Sequence, residues 1–153
     1  MGFFQYKQEQ FLPADLDVVW EFIAFPQNLK KITPPHMGFD IMGDPPKEMY
    51  PGMIIEYRIN PFPIYRTVWV TEITQIRERE FFIDEQRVGP YKLWHHQHTV
   101  EKVDGGTLMK DIVSYQPPFG FLGTMANFII VRRKIESIFA YRTQALDKIF
   151  STE

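Results

Sequence analysis

YKLWHHQHTVEKVDGGTLMKDIVSYQ, residues 91–116, is the stretch whose reading decides the fold. Asp104-Gly105 is a two-residue turn signal between two runs of alternating character, the pattern of an antiparallel hairpin. Such a turn sets Val103 opposite Gly106, His98 opposite Asp111, His96 opposite Val113 and Trp94 opposite Tyr115. One sheet face then holds Trp94, His96, His98, Val100, Met109, Asp111, Val113 and Tyr115, and the other holds Leu93, His95, Gln97, Thr99, Glu101, Lys110, Ile112 and Ser114. The first face is richer in aromatic and apolar groups and is expected to point inward. A slip of one residue would turn every one of these side chains to the other side.

This register puts two imidazoles and a carboxylate on an otherwise apolar wall. A buried charge needs a partner, and the cross-strand pair His98–Asp111 supplies one. The aspartate would fix the tautomer of its imidazole and favour the protonated form. His96 is left without an obvious protein partner, so it is expected to meet a ligand oxygen or a water. Four readings of the group remain open: structural histidines, polar anchors for a ligand, general acid–base catalysis by His96 with His98 and Asp111 in support, and a metal site with Asp111 as third donor. The His-x-His spacing suits a cupin-like metal site, but the later Glu and Gly signals of such sites are missing, and no metal is expected.

Outward from the hairpin, strand and turn signals alternate. Strands are expected over 3–12, 38–43, 53–59, 65–75, 81–87, 91–103 and 107–116, separated by Pro45-Pro46, Pro51-Gly52, Pro61, Gly89-Pro90 and Asp104-Gly105-Gly106. The connections are short, which implies antiparallel neighbours. After the first strand, Asp15 is placed to cap a short helix with Val18, Val19, Phe22 and Ile23 on one face, stopped by Pro26. A second short helix is expected over 27–32, ended by Pro34-Pro35. From 124 to 150 the period changes to that of a helix, with Phe128, Val131, Ile135, Ile138, Ala145 and Ile149 on the apolar side, Leu146 beside them, and Arg133, Lys134, Ser137, Gln144 and Lys148 opposite. At ~1.5 Å per residue such a helix can lie across the whole sheet.

On neighbouring strands, Asp84 and Gln86 share a face with Phe82. Trp69, Thr71 and Ile73 share another, and Tyr57 alternates with Ile55 and Ile59. These side chains either join the wall or are plain core. Arg132 and Arg142 lie near the apolar side of the last helix, where arginines ordinarily reach out to solvent.

The chain has 153 residues, enough for one domain spanning 1–153. Its 44% hydrophobic and 16% aromatic content closes a core and excludes a disordered chain. The 14 Phe, 7 Tyr and 3 Trp can line a cavity or fill it. With a net charge of -2 there is no basic excess, so a nucleic-acid partner is not expected. The absence of cysteine excludes disulfides, thiolate nucleophiles and zinc–thiolate sites. No run approaches the ~18 apolar residues of a membrane span. Residues 1–17 lack a signal-peptide apolar stretch, and Tyr6 breaks the myristoylation pattern, so a cytoplasmic location is expected. No serine or threonine nucleophile motif, phosphate-binding glycine loop or paired-carboxylate pattern is present, and no cofactor is expected.

Taken together, several motifs resemble the SRPBCC superfamily, the START and birch-pollen-allergen (Bet v1-like, helix-grip) fold, in a bacterial branch. They are Leu12-Pro13-Ala14 with Val19-Trp20-Glu21-Phe22, Asn28-Leu29 with Ile32-Thr33-Pro34-Pro35, Phe82-x-Asp84-x-Gln86, Gly89-Pro90-Tyr91, Trp94-x-His96-x-His98, Gly106-Thr107, Asp111-x-Val113-x-Tyr115 and Pro117. The resemblance spans nearly the whole chain. It implies an α+β fold in which a curved antiparallel sheet of about seven strands carries two short helices after strand one and a long C-terminal helix across it, with a cavity between. Members bind lipids, sterols, hormones, quinones or polyketides, and some are cyclases or dehydratases. The expected partner is therefore a lipophilic small molecule, with Trp69, Asp84, Gln86, Trp94, His96, His98, Asp111, Tyr115 and Phe128 as its candidate contacts. The alternatives are a polyketide-cyclase-like enzyme using His96 with His98–Asp111, and a protein-interaction module with a vestigial cavity. Fold likeness alone specifies no reaction.

Overall fold

Alternation of apolar and polar side chains lays down a seven-stranded antiparallel sheet in this computed structural model, which describes residues 2–151. The strands are β1 (Phe4–Leu12), β2 (Asp40–Ile41), β3 (Met53–Phe62), β4 (Tyr65–Arg77), β5 (Phe81–Val88), β6 (Leu93–Val103) and β7 (Gly106–Gln116). They run in the order β1-β7-β6-β5-β4-β3-β2, so β2 to β7 form a meander and β1 closes on its last strand. In β3, Met53, Ile55, Tyr57 and Ile59 point in while Ile54, Glu56 and Arg58 point out, giving one dry face and one wet face. Breaks in register along β3–β4 and β4–β5 are bulges of the kind that bend a sheet.

The β6–β7 hairpin has the expected register, with Val103 against Gly106, His98 against Asp111, His96 against Val113 and Trp94 against Tyr115. Gly105 takes the left-handed conformation its turn requires, with φ of 79°. His96, His98, Asp111, Val113 and Tyr115 are all buried, so the expected inward face is the inward face. β2 is shorter than the expected 38–43 because Gly38 and Gly43 both adopt positive φ, which takes the chain out of the extended region at each end.

After β1, α1 (Leu16–Ile23) follows Asp15, which occupies the capping position without making a side-chain capping bond. Trp20, on the buried side of α1, packs edge-on against Phe82, their ring centres 6.1 Å apart. Pro26, expected only as a stop, opens a 3-10 helix, Pro26–Ile32, where a missing N–H costs nothing. A second such turn covers Pro35–Met37.

The C-terminal helix begins earlier than expected and is not uniform: α2 (Gly120–Ala126) passes through a π-helical turn (Asn127–Val131) into α3 (Arg132–Phe150). A Cβ at Gly123 would lie 1.7 Å from the Pro118 carbonyl oxygen, so only glycine lets α2 fold back on Pro117-Pro118. The π turn inserts a residue and rotates the helix phase. The buried stripe is therefore Ile135, Phe139, Arg142, Leu146 and Phe150. Phe128 and Ile149, expected on that stripe, are 69% and 37% exposed. Leu146 is fully buried, which stabilises the helix-on-sheet packing by about 2 kcal/mol. Gln10 ties β1 to α3 by donating to the Thr143 carbonyl at 3.0 Å and to Asp147 Oδ1 at 2.8 Å.

Candidate functional site

The helix does not lie flat on the sheet along its whole length. Between α3, the 3-10 helices and the inner sheet face is a cavity of about 380 Å³, lined by side chains that are mostly aliphatic or aromatic. One wall is an aromatic belt. Tyr57 on β3 stacks on Trp69 of β4 with ring centres 6.1 Å apart, Trp69 meets Trp94 of β6 edge-on at 5.3 Å, and Tyr91 closes against Trp94 at 4.8 Å. Trp69 and Trp94 meet because β5 ends at Val88 and leaves the space beyond it to the 89–92 loop. Gln86 holds that loop, donating from Nε2 to the Tyr91 carbonyl at 2.6 Å and accepting from the Tyr91 N–H at 3.1 Å. The Trp69 indole N–H is buried on this wall and finds no partner among the described residues.

At the inner end the wall changes character. His96 and His98 stack at 3.6 Å between ring centres, and His98 lies on the Phe82 ring at 4.1 Å. His98 donates from Nε2 to Asp84 Oδ2 at 2.6 Å and sets Nδ1 3.0 Å from Asp111 Oδ1. His96 donates from Nε2 to the same Asp111 oxygen at 2.8 Å, and its Nδ1 stands 3.6 Å from Asp84 Oδ2. Arg142 enters from the helix, its Nη2 3.8 Å from Asp111 Oδ1, with its Nε buried and unpartnered among the described residues.

The protonation states follow from this geometry. Burial and the neighbouring charge of His98 push His96 down to about 4, against the pull of its hydrogen bond to Asp111, so it is neutral at pH 7. Burial would lower His98 as well, but its two carboxylates outweigh that and raise it. Burial acts to raise Asp111, yet the Arg142 charge and the two imidazoles hold it well below the usual carboxylate range. Asp84 is likewise lowered, its bond from His98 overcoming burial. The two carboxylates thus lie against a guanidinium and an imidazole whose protonated form they favour, and such pairing is how charges persist at this depth. Arg142 Nη2 also approaches His98 Nδ1 at 3.4 Å, beside the Asp111 carboxylate.

The family model for "Polyketide cyclase / dehydrase and lipid transport" matches residues 12–137, from the end of β1 into α3. The chain belongs to that family. No curated protein sequence matches it. Among solved structures, this family member superposes on protein CV1439 from Chromobacterium violaceum with a TM-score of 0.74 at 12% identity, covering 97% of this chain and 99% of that one. A protein from Rhizobium leguminosarum gives a TM-score of 0.71 at 14% identity, covering 96% of each chain. Ara h 8.0201 gives 0.57 at 16% identity, covering 95% of this chain and 98% of that one. At such identities the likeness is one of fold, the helix-grip fold of the SRPBCC superfamily.

Of the residues singled out in the sequence, Trp69, Asp84, Trp94, His96 and His98 line the cavity of this family member. Asp111 lies behind the histidines, and Tyr115 turns its hydroxyl to Asn127 Oδ1 at 2.8 Å. Two expectations need correcting. Gln86 is spent on the Tyr91 backbone, and Phe128 stands in solvent, out of phase after the π turn. Two more concern partners. His96 is not unpartnered, because it holds Asp111, and Arg142 does not reach solvent but is buried against the same carboxylate. Lys134, expected on the outer face, packs its ammonium over the Phe62 ring at 4.3 Å. The signal for Arg142 was present: it is the one cation on the stripe of Ile135, Phe139, Leu146 and Phe150, facing a wall that carries two aspartates.

Asp84, His96 and His98 present ligand-type atoms within 4.8 Å of one another, the raw donor set for a metal ion. Both His98 nitrogens are committed to carboxylates, and Arg142 already compensates Asp111. A dication would have to displace a proton and face a guanidinium, so the cluster fits a proton-bearing network better than a ligand set.

Proposed function

We propose that this chain binds and carries a lipophilic small molecule whose polar end is a hydrogen-bond acceptor. The apolar body packs on the belt of Tyr57, Trp69 and Trp94. The acceptor, a carbonyl, carboxylate or phenolate oxygen, takes the N–H groups of Trp69 and Arg142. The observation carrying this reading is that two residues lining a mostly apolar cavity of about 380 Å³, Trp69 and Arg142, each hold a buried donor without a partner among the described residues. An unsatisfied buried donor costs about 1–3 kcal/mol, which a guest's oxygen would recover. The volume falls in the ordinary range for small-molecule sites, roughly 300–1,000 Å³. The family's description, which joins lipid transport to cyclase chemistry, agrees with a cavity of this kind.

A second reading, proton transfer on a polyketide-type guest, draws on His96. It is neutral at pH 7, its Nε2–H is oriented by Asp111, and its Nδ1 is left with a free lone pair.

Thermal denaturation with a panel of fatty acids, quinones and aromatic polyketides, each beside its hydrocarbon counterpart, tests the binder. Acceptor-bearing compounds should raise the midpoint more than their counterparts. Trp69→Phe should weaken the best of them about five- to tenfold. Equal stabilisation by the hydrocarbons, or by none of the compounds, contradicts the reading. Turnover of any hit that His96→Gln abolishes while stabilisation persists would select the catalytic reading.

A further inference from the structure

Where the cavity lining reaches exposed residues, it meets the solvent. Those residues come from two places: Phe62 at the tip of the β3–β4 hairpin, and Phe119 just before α2. The Lys134 ammonium over the Phe62 ring joins the two sides. Both rims are built against the usual rule. On the hairpin, Phe62, Ile64 and Tyr65 are exposed, Ile64 completely. On the helical side, α2 and the π turn bury only Gly123 and Asn127, and present Phe121, Leu122, Met125, Phe128, Ile129 and Ile130 outward. Small or polar residues face the protein and large apolar ones face water, the reverse of a core-packing helix. Each rim also holds one apolar residue in the left-handed conformation, Ile64 at φ 61° and Phe119 at φ 65°. Glycine or asparagine would sit there at less cost.

Charge decides what covers this surface. In a chain of net charge -2, the two rim segments, 57–71 and 112–135, carry Arg58, Arg66, Arg132, Arg133 and Lys134 and no carboxylate of their own, and although Arg66 is paired with Asp40 and Arg132 with Glu136 beyond them, cations remain in excess on the rim. A second copy docked by two-fold symmetry would bring cation against cation over the same patch. An anionic lipid surface offers what both features need: hydrocarbon for the aromatic and aliphatic side chains, and headgroup phosphate or carboxylate for the arginines. We propose that the cavity mouth is a membrane-docking surface, in which the hairpin tip and the α2–π segment insert shallowly into a bilayer leaflet bearing anionic lipid. No described helix is long and apolar enough to cross a membrane, so this is adsorption to one face. The docking surface stands whatever the cavity holds, and if the cavity carries a guest, docking opens its mouth onto hydrocarbon.

The test is co-sedimentation with vesicles of phosphatidylcholine containing about a third phosphatidylserine, beside vesicles of phosphatidylcholine alone, with sedimentation velocity on the lipid-free protein. The full chain should pellet with the anionic vesicles and more weakly with the neutral ones. Arg133→Glu should weaken binding about fivefold or more. The paired substitution Phe121→Asp and Ile129→Asp should weaken it by more than about tenfold, with the thermal midpoint unchanged. Trp69→Phe should bind vesicles as the parent does, which separates this proposal from the identity of the guest. Three results overturn it: protein left in the supernatant, pelleting that survives the paired substitution, or a lipid-free dimer that the paired substitution dissolves.

Discussion

Along the C-terminal helix, residues 132–150 turn Ile135, Phe139, Leu146 and Phe150 to the sheet, whereas residues 120–131 turn in only Gly123 and Asn127 and leave six large apolar side chains in water. The first of these segments belongs to the deep end of the cavity, where Arg142 joins the buried cluster of Asp84, His96, His98 and Asp111. The second belongs to the mouth. One helix thus serves stability at one end and contact with something outside at the other, and the π turn at Asn127–Val131 is where the phase changes over. The contrast separates residues whose loss unfolds the protein from residues whose loss leaves it folded and alters what it touches.

The largest expected effect tests the deep end. Asp111→Ala leaves a guanidinium and two imidazoles buried without their shared carboxylate, and should cost about 3–5 kcal/mol in chemical denaturation. At the mouth, Phe121→Ser should change stability by no more than about 0.5 kcal/mol in the same experiment. Equal costs would abolish the distinction between the two ends.

A smaller effect separates the two histidines of the deep end. His96 has its folded pKa pushed down to about 4 from an ordinary 6.5, so the unfolded chain binds its proton more readily. Stability should therefore be lost as pH falls below about 6.5, by about 2 kcal/mol at pH 4.5 from this group alone. His98 is raised, so its contribution is complete below 6.5 and is lost as pH climbs through its folded value. The two together place a stability maximum near pH ~6.5. His96→Gln should flatten the acid limb and His98→Gln the alkaline limb of a Tm-against-pH profile. A profile unaffected by either substitution would mean that the imidazoles do not titrate as the geometry requires.

The hairpin of residues 91–116 was legible because a period of two and a two-residue turn leave a single register. The partners within it were less so, since side chains at this depth bond diagonally. Asp111 stands opposite His98 yet accepts its shortest bond from His96, while Asp84 stands opposite His96 and takes the shorter bond from His98. Asp84 was legible only as a neighbour on the wall, because the 89–92 connection is too irregular to fix the β5–β6 register from sequence. Phe128 was misplaced because periodicity assumes a continuous α-helix, which the π turn breaks; Arg142 was placed on the apolar side, and what failed was the rule that an arginine there reaches solvent. On the inner face of β1, Gln8 and Gln10 interrupt the series Phe4, Tyr6 and Leu12, and nothing in the alternation tells that these two grip α3.

Everything proposed for the cavity requires that it hold a guest. Native mass spectrometry of the purified 18.2 kDa chain reads this directly. The expected spectrum shows a bound species heavier than the bare chain by the mass of one small organic molecule, released by organic solvent and depleted in Trp69→Phe. A spectrum showing only the bare chain, unchanged after incubation with the stabilising compounds, would contradict it.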